Sequence, residues 1–261
     1  MLQRGDRFQY QSVVDHYRYR PAYAPAVYET LYSLVDPRSI VLDIGCGPGK
    51  LSRPIAQRVA RVDAVDLSPA MIAAAKTGSE DDGNINWIVG DVHTAALDSG
   101  YDLIMAGASI HWMDWDRLFP FLALRQSEGG HVAFTEGDGA MDQPWGHEEL
   151  ALMKQVQLEI NEERPEWVDT ARFPAPSKAS LVDHPLFAKQ QTTIDRYTVT
   201  QSVEDYINVF FSRAAFALDC MPVDVADRFR KDMGALLASY AIDGRIEYEV
   251  ESIIEVGRLT G

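Results

Sequence analysis

Two cysteines in 261 residues, Cys46 and Cys220, are too few for a disulfide framework, and they favour a reduced, cytoplasmic setting. Basic charge is also scarce: 24 Lys and Arg stand against 39 Asp and Glu, a net charge of −15. That balance argues against nucleic acid, whose phosphates must be neutralised by clustered cations, and it disfavours anionic membrane surfaces. No apolar run approaches the length of a membrane span. The first residues, Met1 to Asp6, lack the apolar core of a secretory signal. His16, His93, His131, His147 and His184 are scattered without ligand spacing to Cys or acids, so no metal is expected. Internal repeats and low-complexity segments are missing too. What remains is an ordinary globular composition, 46% hydrophobic, sufficient for one large domain or a domain with an insertion.

The most informative stretch is Ile40-Val41-Leu42-Asp43-Ile44-Gly45-Cys46-Gly47-Pro48-Gly49. A short apolar run of this kind reads as a fully buried strand. Glycine at every second position after it lets the backbone take positive φ and approach a ligand closely. The ligand then lies across the carboxyl end of the first strand of an open α/β sheet. A dinucleotide loop needs G-x-G-x-x-G, but Lys50 occupies the third glycine's place. A P-loop needs Gly-Lys-Ser/Thr, but Leu51 follows Lys50. Asp43 would repel a pyrophosphate and is suited to pair with an ammonium group.

Two further strands end in acids. Arg61 to Leu67 carries Asp66, placed to accept both hydroxyls of a ribose. Ser68 and Pro69 then cap a helix running through Met71 to Lys76. Asn84 to Val92 ends in Gly90-Asp91, by itself only a common turn element. Lys50 to Val59 reads as the helix between the first two strands. Tyr101 to Ser109 reads as the fourth strand, and Ile110-His111-Trp112-Met113-Asp114-Trp115 follows it.

The string V-L-D-I-G-C-G-P-G resembles motif I of class I S-adenosylmethionine (SAM) methyltransferases, whose ligand carries an amine and a sulfonium but no phosphate. A-S-I-H-W-M-D-W is similar to the segment after the fourth strand in the trans-aconitate and ubiquinone-pathway groups, which act on small molecules. The resemblance implies a doubly wound, Rossmann-like α/β sheet of seven strands in the order 3-2-1-4-5-7-6, strand 7 antiparallel. It implies SAM as cofactor and S-adenosylhomocysteine as product. It also implies that Asp66 binds the ribose, Met71 packs on the adenine, Asp91 accepts from the adenine amine and the Val92 amide donates to the ring. The cofactor set expected on this basis is Tyr17, Arg20, Asp43, Gly45, Cys46, Gly47, Gly49, Asp66, Leu67, Met71, Gly90, Asp91, Val92, Ala106, Gly107, Ala108 and His111.

The stretch from Phe8 to Tyr28 holds five tyrosines, and its Y-x-Y-R-P-x-Y segment resembles the family's N-terminal arm, a lid over the cofactor. Arg20 is thereby assigned to the methionine carboxylate, and Tyr10 or Tyr17 to the acceptor. His111 can serve as a base because its ordinary pKa lies near neutrality; it can equally order its own loop. Catalytic candidates are therefore His111, Tyr17 and Tyr10. Among the aromatics, Trp112 and Phe119 are expected to line the substrate pocket with Tyr10 and Trp145, while Trp115 and Phe121 are expected to pack in the core.

His131 to Thr135 reads as the fifth strand, residues 190–200 as the sixth and Arg245 to Val256 as the last. Helices are expected over Val203 to Leu218, capped by Ser202, and over Pro222 to Tyr240. The proline-punctuated stretch from Gly137 to about Gln190, with a helix over Glu148 to Asn161, reads as a helical insertion over the substrate side. The expected organisation is an arm at 1–36, a SAM-binding core at 37–137, a helical cap at 138–189 and the rest of the core sheet at 190–261.

The leading expectation is methyl transfer to a small molecule in natural-product, antibiotic-type biosynthesis, leaning to N-methylation of an amine. O- or C-methylation of a small acid or phenol, with His111 as base, stands beside it. A non-catalytic SAM- or nucleoside-binding module is the reading from another class, and a dehydrogenase is disfavoured by the missing third glycine. No nucleic-acid or membrane partner is expected, and a homo-oligomer is left open.

Overall fold

The computed structural model describes residues 9–77, 83–137, 139–163 and 181–260. One eight-stranded sheet forms its frame. The strands are β1 (Ile40–Ile44), β2 (Arg61–Asp66), β3 (Ile85–Val89), β4 (Tyr101–Gly107), β5 (Gln126–Glu136), β6 (Ala140–Met141), β7 (Phe187–Ser202) and β8 (Arg245–Leu259). Their order is β3-β2-β1-β4-β5-β8-β6, with β7 also on β8. Strands β1 to β5 run parallel, and β8 is antiparallel to β5 and β7. This is the expected 3-2-1-4-5-7-6 arrangement with one short addition. Val250 of β8 pairs with Ala140 of β6 on one side and with Tyr197 of β7 on the other.

Side-chain alternation on the central strands decides what reaches the site. Successive residues of a strand point to opposite faces. On one face Val41, Leu103 and Met105 share a core with Val27 and Leu31 of α2 (Pro25–Ser33) and Ile55 of α3 (Ser52–Ala56). On the other, Leu42, Ile44, Ile104 and Ala106 pack with Leu118, Phe119 and Leu122 of α5 (Trp115–Ala123). Helix α3 is shorter than the expected Lys50 to Val59, because the chain is still turning through Leu51. Helix α4 (Pro69–Lys76) is capped by Ser68, whose hydroxyl accepts from the Met71 amide at 3.2 Å.

A second core lies over β8. There α6 (Gly146–Glu163) packs with α7 (Val203–Phe211) and α8 (Val223–Ala238) through Trp145, Val156, Phe210 and Phe229. Ser202 caps α7 by accepting from the Asp205 amide at 3.0 Å. The arm enters as α1 (Gln11–His16), a tight turn over Tyr17–Tyr19, and then α2. Val13 and Val14 of α1 share a small core with Met71 of α4 and Cys220. The arm thus spans the cofactor side and the α7 side of the molecule. Expectations at Phe8, Pro165, Pro174 and Pro176 lie outside the described residues. Among the described residues no helix is long and apolar enough to cross a membrane.

Candidate cofactor and acceptor site

A cavity of about 920 Å³ opens at the carboxyl ends of β1, β2, β3 and β4. Gly45 begins its floor. The Gly45 and Cys46 amides both donate to the Val65 carbonyl, at 2.8 and 3.1 Å, tying the loop to β2. Gly45 has φ +65°, and a Cβ there would stand 2.6 Å from the Ser109 Cβ. Ser109 is itself fixed, its hydroxyl donating to the Ile44 carbonyl at 2.7 Å. The two loops therefore touch at a point only glycine permits. Gly45→Ala combines backbone strain of roughly 1–3 kcal/mol with that collision. It is expected to lower the melting temperature and to weaken SAM binding more than tenfold; unchanged values of both would contradict the cradle.

Asp66 ends β2 in the cavity wall. One of its oxygens accepts from the Gly47 amide and the other from the Ser68 amide, both at 2.8 Å. Burial raises its pKa, against the lowering effect of those two amides. An ionised carboxylate offers about four acceptor positions. Two are used by the backbone, which leaves a pair for the vicinal hydroxyls of a ribose. Leu67 and Met71 supply apolar wall beside it, and Gly90, Asp91 and Val92 continue the wall from β3. The Asp91 carboxylate accepts from the His93 amide at 2.8 Å and stays exposed.

The fourth strand ends at Gly107 and Ala108 follows it, both in the wall. Ala108 has φ +50°, one of three non-glycine residues with positive φ among the described residues. Strain of this kind is held in place by surrounding contacts; here the Ala108 amide donates to Thr135 O at 2.8 Å. A helical turn over Ile110–Trp112 follows, anchored by buried Ile110, whose carbonyl accepts from the Trp115 indole at 2.8 Å. This turn delivers His111 and Trp112 to the cavity. His111 Nδ1 lies 2.6 Å from the Glu136 carboxylate at the end of β5.

The arm closes one side. Tyr17 and Arg20 line the cavity, with the Arg20 guanidinium 4.7 Å over the Tyr17 ring. Arg20 also donates to the Ser212 hydroxyl at 2.8 Å and to its carbonyl at 3.0 Å. The outer wall adds Met113, Asp114, Trp115, Asp116, Arg117, Leu181, Asp183 and His184. Five carboxylates, Asp66, Asp91, Asp114, Asp116 and Asp183, thus share the wall with two guanidinium groups, Arg20 and Arg117.

Several expected residues lie elsewhere. Asp43 shares the Val41 face of β1 only by exclusion: its neighbours Leu42 and Ile44 point to α5, so Asp43 turns to α3. It is buried, accepting from the Ser52 hydroxyl at 2.5 Å, and is not among the described residues that line the cavity. Cys46 and Gly49 are buried parts of the loop that do not line the cavity, and Ala106 is fully buried against α5. Tyr10 packs on the core beneath α1. Phe119 sits one helical turn deeper than Trp115, stacked between Trp115 and Phe134, so Trp115 lines the cavity and Phe119 fills the core. Trp145 is buried beside Glu149 and Tyr206 in the second core. Among the described residues, none of α6 lines the cavity.

Residues 41–126 match the family model described as a methyltransferase domain. Over that stretch, about a third of its length, the chain is similar to methyltransferase domains. Malonyl-[acyl-carrier protein] O-methyltransferase 1 of Ilyobacter polytropus is 39% identical over 98 residues, 36% of this chain and 37% of that protein. A trans-aconitate 2-methyltransferase of Escherichia coli is 34% identical over 124 residues, 46% of each chain. The chain thus spans less than half the length of these curated relatives. A proposed type II methyltransferase from Anaeromyxobacter dehalogenans shares the fold, with a TM-score of 0.63 over 92% of this chain and 97% of that one, at 20% identity.

Two observations fit the SAM expected from the sequence to the site: the spare acceptor positions of Asp66, and the glycine floor that a Cβ at Gly45 would block.

Proposed function

We propose that this protein transfers the methyl group of SAM to a small-molecule acceptor, with an amine nitrogen as the favoured target. The cavity carries the reading. Its wall combines Asp66, Met71 and Val92 from the ends of β2, α4 and β3 with His111, Trp112 and Trp115 from the segment after β4. A volume of about 920 Å³ lies at the upper end of the usual range for small-molecule sites. Transfer forms a bond from the acceptor heteroatom to the methyl carbon while the C–S bond breaks, its electron pair leaving on the neutral thioether. Alignment of the three atoms can supply up to roughly 7–11 kcal/mol. The majority of carboxylates in the wall supports a cationic acceptor, and aromatic rings add attraction for an ammonium group. A role in natural-product biosynthesis is part of this proposal.

O-methylation of a phenol or small acid is the second reading, favoured by the base-like setting of His111. The test is label transfer from methyl-labelled SAM to panels of primary amines, phenols and carboxylic acids. Labelled amines are expected; label in phenols alone would favour the second reading, and no transfer to any panel would favour a binding module. His111→Ala is expected to leave SAM affinity intact and to lower turnover by about 10²-fold or more, the usual contribution of a positioned base. Untouched turnover would make His111 structural.

A further inference from the structure

We propose that Glu136 is a positioning residue for His111: it fixes the ring with Nδ1 protonated and Nε2 as the proton acceptor, which selects acceptors that must lose a proton. This rests on the methyl-transfer reading for its purpose, although the geometry stands alone. An ionised carboxylate can only accept a hydrogen bond. At 2.6 Å the contact therefore places a proton on His111 Nδ1. Among the described residues Nε2 has no hydrogen-bond partner, while the ring lines the cavity.

Both partners are held by elements that need no ligand. Glu136 is fixed in register with Ile253 of β8, and the His111 turn is anchored by buried Ile110. The other histidine pair in the wall provides the contrast. His184 engages Asp116 through Nε2, and that Asp116 side chain is 96% exposed, so solvent screens the pair. His111 and Glu136 side chains are 28% and 18% exposed, shielded yet within reach of solvent for proton release.

In the reaction, the acceptor N–H or O–H bond gives its electron pair to the heteroatom and its proton to Nε2. The resulting imidazolium is stabilised by the Glu136 carboxylate and returns the proton to solvent. A carboxylate behind an imidazole acts this way in hydrolytic triads, where replacing the acid leaves the wrong tautomer. The ammonium form of an amine and a phenol both suit such a site; a thioether has no proton on its nucleophilic atom for it to take.

The experiment uses full-length protein with ¹⁵N-labelled histidine and reads the His111 tautomer by nitrogen–proton correlation spectra, assigned with His111→Gln. The wild type is expected to show the Nδ1–H form as the major neutral species, and Glu136→Gln to switch the major form to Nε2–H. A wild-type ring already in the Nε2–H form, or one whose tautomer ignores Glu136→Gln, would overturn the proposal. Calorimetry with SAM on both proteins separates the outcomes. Equal affinities confirm that the variant is folded, whereas a wild type that binds no SAM sinks the methyl-donor reading and leaves the tautomer result standing.

Discussion

Asp66→Ala is expected to weaken SAM binding by roughly 10²–10⁴-fold. Hydrogen bonds to a charged group contribute about 1.5–3 kcal/mol each, and the variant removes the acceptor for two ribose hydroxyls. It also releases the Gly47 and Ser68 amides, so the glycine loop and the start of α4 lose a shared anchor. Asp66→Asn separates these effects, because its single remaining oxygen can serve only part of the set; an intermediate affinity is expected. Calorimetry at fixed pH measures both. An Asp66→Ala variant that binds within about threefold of the wild type would remove Asp66 from the site.

The second large effect concerns stability. Burial pushes the Asp43 carboxyl up from 3.8 to about 7, with the Ser52 hydroxyl opposing and the Asp66 charge adding to the rise. One Asp43 oxygen has no hydrogen-bond partner, which accounts for the cost of ionising it there. Between pH 4 and 7 the folded protein thus keeps a proton that the unfolded chain has released. The stability from this group is complete below about 4, declines as pH rises, and is lost above about 7. The linked change is on the order of 4 kcal/mol. Asp43→Asn keeps the shape and removes the titration, so thermal melts should show the variant gaining on the wild type from pH 5 to pH 8. At about 2–4 °C per kcal/mol the divergence reaches several degrees. An equal difference at both pH values would show that Asp43 is ionised throughout.

Asp43 also shows where reading the sequence stops. The glycine loop, the strand-end acid Asp66 and the apolar strands were legible because each is a local pattern with one structural solution. The face to which Asp43 turns depends on strand parity relative to α3, a fact about packing. The same holds for Trp115 and Phe119, four residues apart on one side of α5, where depth rather than residue type separates wall from core. Glu136 is an acid at a strand end, like Asp66 and Asp91, but the apolar pattern of the fifth strand stops at Thr135, one residue short of it. His184 and Leu181 carried no such signal. They arrive at the wall from a distant part of the chain, held there partly by buried Glu255, which accepts from the Val182 amide at 3.3 Å.

The position of β8 has a consequence for how the molecule can come apart. Strands β1 to β4 join through short parallel crossovers, whereas β5 finds its second neighbour only at Ile253 to Gly257. Closing so long a loop is slow relative to local pairing. A partly folded chain without β8 presents the bare edge of β5, and β7 lacks the only ladder it makes among the described residues. Loss of β8 alone therefore exposes two adhesive edges at once, the condition under which strands of separate molecules zip together. The half that binds the cofactor and the half that guards against aggregation are set by different ends of the same sheet.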